Sequence, residues 1–320
     1  MTTSKVGIIG TGAIAGYYGL MLQRSGLDVR FLVRSGYEQL QQEGMTIHSS
    51  SLGTLEHKIQ VCQDIEELAD CDWLFVTTKT TANTAVGKLL SQLPSSTARV
   101  VLLQNGLSNE DELRQLIPAG MSLFAGLCFI FARRTATGQI QHQGGGTINI
   151  GYHSGAASLE QGIEQASQLV QLFNAAGVRS QYVDVLQARW QKLVWNVPYN
   201  GLSVVLDART GAMMADPASH ALITDLMQEV VDAAAACGCV LPDNTLQAML
   251  KTTAQMADYH PSMYGDYTSG KELELHAIYR APLAAAEHAG FSMRKTHMLL
   301  QQLEFIQRRR DSRGQYQSLE

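Results

Sequence analysis

From Lys5 to about residue 151 the chain alternates short apolar runs with longer amphipathic ones. Runs at 5–10, 28–33, 57–62, 73–78 and 99–104 are rich in β-branched and aromatic residues and apolar on both faces. That pattern predicts buried parallel strands. Helices are predicted from the first glycine turn to about Ser25, at 82–93, and at 109–117 before Pro118. Strand–helix alternation of this kind implies a doubly wound sheet with right-handed crossovers. Strands at 121–132, 138–143 and 147–152, punctuated by Gly138 and Gly144–Gly146, read as antiparallel additions on the far side. A helix at 158–176 and a strand at 180–184 complete this region.

After Leu186 the strand signals stop, and Ala, Leu, Met, Gln and Glu recur at helical spacing. Helices are predicted at 185–206, 217–237, 243–258, 262–268, 271–289 and 294–310, with Gly238, Pro242 and Gly290 as punctuation. The last ten residues read as a polar, mobile tail. At 320 residues the chain exceeds one typical domain. The expected organisation is a doubly wound α/β domain over 1–184 and an all-helical domain over 185–320.

The first strand runs directly into Gly10–Thr11–Gly12–Ala13–Ile14–Ala15, a G-x-G-x-x-A turn at the start of a helix. Gly10 permits the tight turn, Gly12 lets the backbone approach a pyrophosphate, and Ala15–Gly16 allows close helix packing. The domain is therefore read as a Rossmann-type dinucleotide-binding fold. The second strand ends at Arg34 rather than at an acid, while Asp28 stands at its opposite end. A guanidinium fork suits a 2′-phosphate, so NADP(H) is favoured over NAD(H). Ligands bind beyond the carboxyl ends of such strands, and Lys79 and Asn105 follow the fourth and fifth strands at that edge.

In the helical half, Lys192, Asn196 and Asn200 recur at i, i+4 and i+8 on one helix face, among Trp190, Leu193, Val194 and Trp195. Polar side chains in such company need partners. Pro198 is expected to disturb this helix. Glu274 falls in an apolar helical seam with Leu273, Ala277 and Ile278, and Lys192 is its natural counter-ion.

Composition narrows the remaining classes. A net charge of −5 argues against an electrostatic nucleic-acid partner. No apolar run reaches the length of a membrane span. Val6–Ile9 is too short for a signal-peptide core, and the five scattered cysteines read as reduced thiols, so a cytoplasmic location is expected. The nine histidines show no metal-binding spacing, and no metal is expected.

These motifs, in order over nearly the whole chain, resemble the ketopantoate reductase (2-dehydropantoate 2-reductase) family. They comprise GTGAIAGYYG, FLVR ending at Arg34, VTTK ending at Lys79, LQNG with Asn105, the glycine-flanked strands from Ala125 to Gly151, K-x-x-x-N-x-x-x-N from Lys192 to Asn200, and PSMYGD with LELHAI. The resemblance implies a Rossmann domain and a helical domain with the site in the cleft separating them. It implies NADPH held by Gly10, Thr11, Gly12, Ala13, Ile14, Ala15, Arg34, Lys79, Asn105 and Ala132, with Glu274 ordering cofactor and substrate. It further implies Lys192 as general acid paired with Glu274, Asn105, Asn196 and Asn200 as substrate contacts, and Ser262 at the substrate carboxylate. The implied reaction is NADPH-dependent reduction of a 2-oxo acid to a 2-hydroxy acid, with 2-dehydropantoate as substrate in pantothenate and coenzyme A biosynthesis.

Departures lie on the substrate side. Pro198 precedes the second asparagine and Gly201 follows it, where the best-known members have proline after it. Thr210 and Tyr259 stand where family asparagines are expected, and Leu273 where Thr or Pro precedes the acid. Two alternatives stay open: a dehydrogenase of the same fold acting on another oxo or hydroxy acid, and a non-catalytic NADP(H)-sensing protein. The expected partner is a small 2-oxo acid, and a homodimer is possible.

Overall fold

The computed structural model describes residues 4–93 and 98–317, with side chains described as far as Asp311. The chain divides into two compact units: residues 1–104 with 109–185, and residues 105–108 with 186–320.

The first unit is built on a ten-stranded sheet. Its strands are β1 (Lys5–Ile9), β2 (Asp28–Leu32), β3 (Met45–Ser49), β4 (Gly53–His57), β5 (Gln60–Cys62), β6 (Trp73–Val76), β7 (Arg99–Leu102), β8 (Ser122–Ala136), β9 (Gln139–Ser154) and β10 (Ser180–Tyr182). The order is β4-β3-β9-β8-β7-β6-β1-β2-β5, with β10 alongside β9. Strands β5, β2, β1, β6, β7 and β8 are mutually parallel. Numbered among themselves they run 3-2-1-4-5-6, the order of a dinucleotide-binding sheet, reversing between β1 and β6. Its helices are α1 (Ala13–Arg24), α2 (Tyr37–Glu43), α3 (Asn83–Leu90), α4 (Asn109–Arg114) and α5 (Leu159–Ala175).

Alternation within each strand explains the layering. Val6 and Ile8, Trp73 and Phe75, and Val101 face one core with α1 and α5. Ile9, Leu74 and Val76, and Val100 and Leu102 face the other with α3 and α4. Both faces of these strands are dry, so the runs are continuously apolar. Helix α1 lies close to the sheet through two glycines. A Cβ on Gly19 would stand 2.5 Å from Phe31 Cζ, and one on Gly16 would overlap Ile140 Cδ1 of β9.

Several local expectations are corrected. The predicted strand 57–62 shortens to β5, which joins the parallel set, and His57 instead ends β4, which pairs antiparallel with β3 as a hairpin. The hairpin and α2 have too few apolar residues at regular spacing to show in the pattern. Gly144–Gly146 does not end a strand. It passes through β9 as irregular pairing against β8, with register shifts flanking Ile130 and Phe131.

The second unit holds α6 (Val185–Val205), α7 (Thr210–Ala215), α8 (Pro217–Ala236), α9 (Thr245–Gln255), α10 (Ser262–Thr268), a π-helical turn (His276–Arg280), α11 (Ala281–His288) and α12 (Arg294–Gln317). Its core joins Trp190, Val194, Ile223, Met227, Val230, Tyr279 and Leu303, and takes in Leu107 from the inserted segment. The expected helix 271–289 is replaced by an irregular stretch through Glu274, the π turn and α11, so Glu274 is not on a helical seam. Helix α6 runs through Pro198 without ending, and α12 continues to Gln317 where a tail was expected. Residues 318–320 of that tail lie outside the described residues.

Candidate active site

At the carboxyl edge of the first unit's sheet, Gly10 adopts φ 118°, a left-handed conformation costly for other residues. A Cβ there would stand 2.6 Å from Thr77 Oγ1. The Gly10 N–H donates to Leu32 O at 3.2 Å, and the Thr77 N–H and hydroxyl both donate to Ile9 O. The turn is thus stitched to the ends of β2 and β6. Gly12 caps α1 in an extended conformation with no side-chain hydrogen bond, and the first turn contains no acid. A Cβ on Gly12 would meet nothing within 4 Å. The first N–H groups of a helix have no intrahelical acceptor, and here they open onto free space at the positive end of the dipole. That arrangement fits a pyrophosphate.

Thr11, Ala13 and Ile14 are half-buried and Ala15 is fully buried. Ala13, Ile14 and Ala132 of β8 all pack at the margin of one core. Arg34 is exposed just past β2 and makes no protein hydrogen bond or ion pair among the described residues. Asp28 is committed elsewhere: Arg30 donates to it at 2.9 Å and to Asp70 at 2.6 Å. Arg30 and then Lys5 hold the Asp70 carboxyl down at about 2. Lys79 is exposed and precedes a 3-10 turn at Thr80–Ala82. Gln104 donates to Thr78 O and to Asn83 Oδ1, tying the chain after β7 to the chain after β6.

The remaining residues singled out from the sequence lie in the second unit. On α6, Lys192 is half-buried while Asn196 and Asn200 are buried. Asn200 Oδ1 accepts from the Met263 N–H at 3.2 Å and the Ser262 hydroxyl at 3.4 Å, fastening the start of α10. Asn196 Nδ2 is buried with no hydrogen-bond partner among the described residues. A buried amide without an acceptor costs roughly 1–3 kcal/mol unless a ligand satisfies it. Glu274 is buried, and its carbonyl accepts from Ile278 N in the turn that follows.

Asn105, grouped by sequence with the strand ends, belongs structurally to the second unit. The next residue, Gly106 (φ 103°), packs so tightly that a Cβ would stand 2.5 Å from Ala277 O. The Leu107 N–H donates to that same oxygen at 2.8 Å.

Thr210 and Tyr259 bind one another. The Thr210 N–H donates to Tyr259 O at 3.1 Å, and the Tyr259 N–H donates to Thr210 Oγ1 at 3.3 Å. Tyr259 lies parallel to Trp195 at 6.1 Å, and Trp195 stacks on Tyr199 at 4.8 Å. Trp195 Nε1 donates to Thr253 Oγ1. Burial raises the Tyr259 hydroxyl far above the usual phenol range, so it stays neutral. Trp195 sits three residues after Lys192 on the same helix face, a position that reads as core in the sequence. Its nearness to the polar triplet was the available signal.

Among the described residues, no group of three His, Cys, Asp or Glu side chains is placed to hold a metal ion. None of their helices is long and apolar enough to cross a membrane.

A parallel sheet in dinucleotide-binding order with an uncapped glycine turn, followed by a helical unit bearing a Lys–Asn–Asn face, is a two-unit fold of the dinucleotide-binding class. Residues 6–155 match the family model for ketopantoate reductase PanE/ApbA, and residues 184–307 match that for its C-terminal part. The chain belongs to this family. It is 37% identical over 307 residues to a 2-dehydropantoate 2-reductase of Nostoc sp., covering 96% of each chain. The crystal structure of 2-dehydropantoate 2-reductase from Geobacter metallireducens superposes with a TM-score of 0.87 at 34% identity, covering 94% of this chain and 99% of that one. D-mandelate dehydrogenase, solved with NADH and anilino(oxo)acetate, shares the fold at a TM-score of 0.83 and 19% identity, covering 96% of this chain and 99% of that one.

Proposed function

We propose that this protein reduces 2-dehydropantoate to pantoate with NADPH. The supporting observation is the buried, unpartnered Asn196 amide donor one helical turn from Lys192, in a chain of this family. The donor set of the first unit suits a dinucleotide: backbone N–H groups at Gly12–Ile14 for the pyrophosphate, and the exposed Arg34 guanidinium for a 2′-phosphate. A nicotinamide held there would supply a hydride to the ketone carbon of the substrate.

As that C–H bond forms, the C=O π pair moves to oxygen. The Lys192 ammonium stabilises the developing alkoxide and gives it a proton, which Lys192 then regains from solvent. Asn196 Nδ2 donates to the substrate's oxygens and so loses its orphan status. The Ser262 hydroxyl, held by Asn200, binds the carboxylate. Glu274 counters the Lys192 charge and keeps it in place, while Asn105 bridges substrate and cofactor.

The test is a spectrophotometric screen of 2-oxo acids with NADPH and NADH in parallel. The reading expects 2-dehydropantoate to be turned over with the highest kcat/KM and NADPH to be preferred. A preference for a bulkier, apolar 2-oxo acid is the second reading, which the stacked Trp195–Tyr259 pair favours. NADPH binding with no oxo acid reduced would overturn both.

A further inference from the structure

The π turn at His276–Arg280 touches three segments of the second unit that carry proposed site residues: that of Asn105, that of Glu274, and α6. A π register spaces backbone hydrogen bonds five residues apart, and such turns recur at functional sites. Here the Ala281 N–H donates to His276 O, which removes it as the α-helical donor for Ala277 O. The next candidate in the π register is residue 282, a proline with no N–H. Ala277 O is thereby left open, and the Leu107 N–H takes it at 2.8 Å. That bond, with the close approach allowed by Gly106, sets the segment bearing Asn105.

Two residues along, the fully buried Tyr279 reaches α6. Its hydroxyl donates to Val197 O at 2.9 Å and lies against Gly201. Val197 and Gly201 are an i, i+4 pair, so the hydroxyl meets the helix ladder beside Pro198, whose ring has already removed one bond. Gly201 makes the room, since a Cβ there would stand 2.5 Å from Tyr279 Oη. Lys192 and Asn196 precede this break, and Asn200 lies within it. Glu274 enters the π turn directly, its carbonyl bound to Ile278 N.

We propose that the π turn is a clamp that sets Asn105, Glu274 and the Lys192–Asn200 face in one register, with Tyr279 and Pro282 as positioning residues. The inference rests on the reductase reading above, because it assigns those residues to the reaction.

The experiment measures steady-state kinetics of Tyr279→Phe and Pro282→Ala with an oxo acid that the wild type reduces, alongside thermal unfolding and hydrogen exchange at the Leu107 amide. Tyr279→Phe keeps the ring and loses only the inserted hydroxyl. It should lower kcat/KM for the oxo acid about tenfold or more while KM for NADPH stays within twofold. Pro282→Ala supplies an N–H that competes for Ala277 O, so the Leu107 amide should exchange at least tenfold faster, with the same kinetic split. Gly201→Ala should be more harmful with Tyr279 present than in the Tyr279→Phe background, which tests the insertion even if one single variant folds poorly. A fall in melting temperature with oxo-acid kinetics unchanged would make the turn merely structural and overturn the clamp. Unchanged Leu107 exchange in Pro282→Ala would overturn it independently of any activity. A wild type that reduces no oxo acid would instead sink the reductase reading, leaving the exchange result to judge the clamp's geometry.

Discussion

The ligand sites proposed for the two units would be prepared by opposite means. In the first, the proposed site is mostly backbone: Gly10 makes the turn, Gly12 leaves space beside the first N–H groups of α1, and Arg34 and Lys79 stand exposed at the same edge. In the second, the proposed site is side chains: Asn196, Asn200 and Glu274 are buried beside an apolar core, and Asn200 is tied to the start of α10 by the Met263 N–H and the Ser262 hydroxyl. A backbone site tolerates many sequences but few additions of volume. A buried polar site depends on each partner, because an unpaired group costs about as much as a hydrogen bond contributes.

The largest test of that contrast is Lys192→Ala, which should lower kcat roughly 10²–10⁴-fold, the scale of a lost general acid. NADPH affinity, measured by fluorescence titration, should hardly change. A near-normal kcat would remove Lys192 from the chemistry.

Next come the two glycines of the turn. Gly12→Ala adds a methyl where nothing lies within 4 Å, at an ordinary φ of −76°, so the melting temperature should hold. NADPH affinity should drop by about 10–100-fold, the 1–3 kcal/mol typical of an overfilled contact. Gly10→Ala should do the reverse, destabilising the protein itself through its φ of 118° and the clash with Thr77. Equal behaviour of the two variants would break the distinction drawn here.

Arg34→Ala should reduce NADPH affinity about tenfold and leave NADH affinity unchanged, since a charge-assisted bond to a 2′-phosphate is lost. A parallel loss for both nucleotides would show that the guanidinium does not read that phosphate.

The smallest effect lies at the opposite sheet edge. The Asp70 carboxyl is held at about 2 by Arg30 and Lys5, below its ordinary 3.8. Its contribution to stability is present above about 3.8 and is lost as pH falls toward 2. Because the side chain is half exposed, solvent screening limits the contribution to about 0.2–1 kcal/mol. Asp70→Asn should therefore lower the melting temperature slightly at pH 7 and converge with wild type near pH 2. It should leave the kinetics untouched.

Much of this architecture was legible in the residue pattern, for identifiable reasons. The G-x-G-x-x-A turn was readable because strand, turn and helix chemistry are local. The Lys192–Asn196–Asn200 face was readable because the helical period is regular. The β3–β4 hairpin was not, since Met45–Ser49 and Gly53–His57 are short and sit at the sheet edge, where few apolar side chains are needed. The helical seam assigned to Glu274 failed because Leu273 is buried in an irregular stretch as well as it would be in a helix.

By itself, then, the order of residues determined the α/β unit, its nucleotide-type turn and the helical polar face, all of which follow from neighbours within a turn or a strand. Only tertiary structure decided that Asn105 travels with the helical unit, that Thr210 and Tyr259 lock each other, and that the Tyr279 hydroxyl enters α6 from 82 residues away. Periodicity reports which face of an element is buried. It carries no information on which distant donor will meet an acceptor that a proline or a π register has left open.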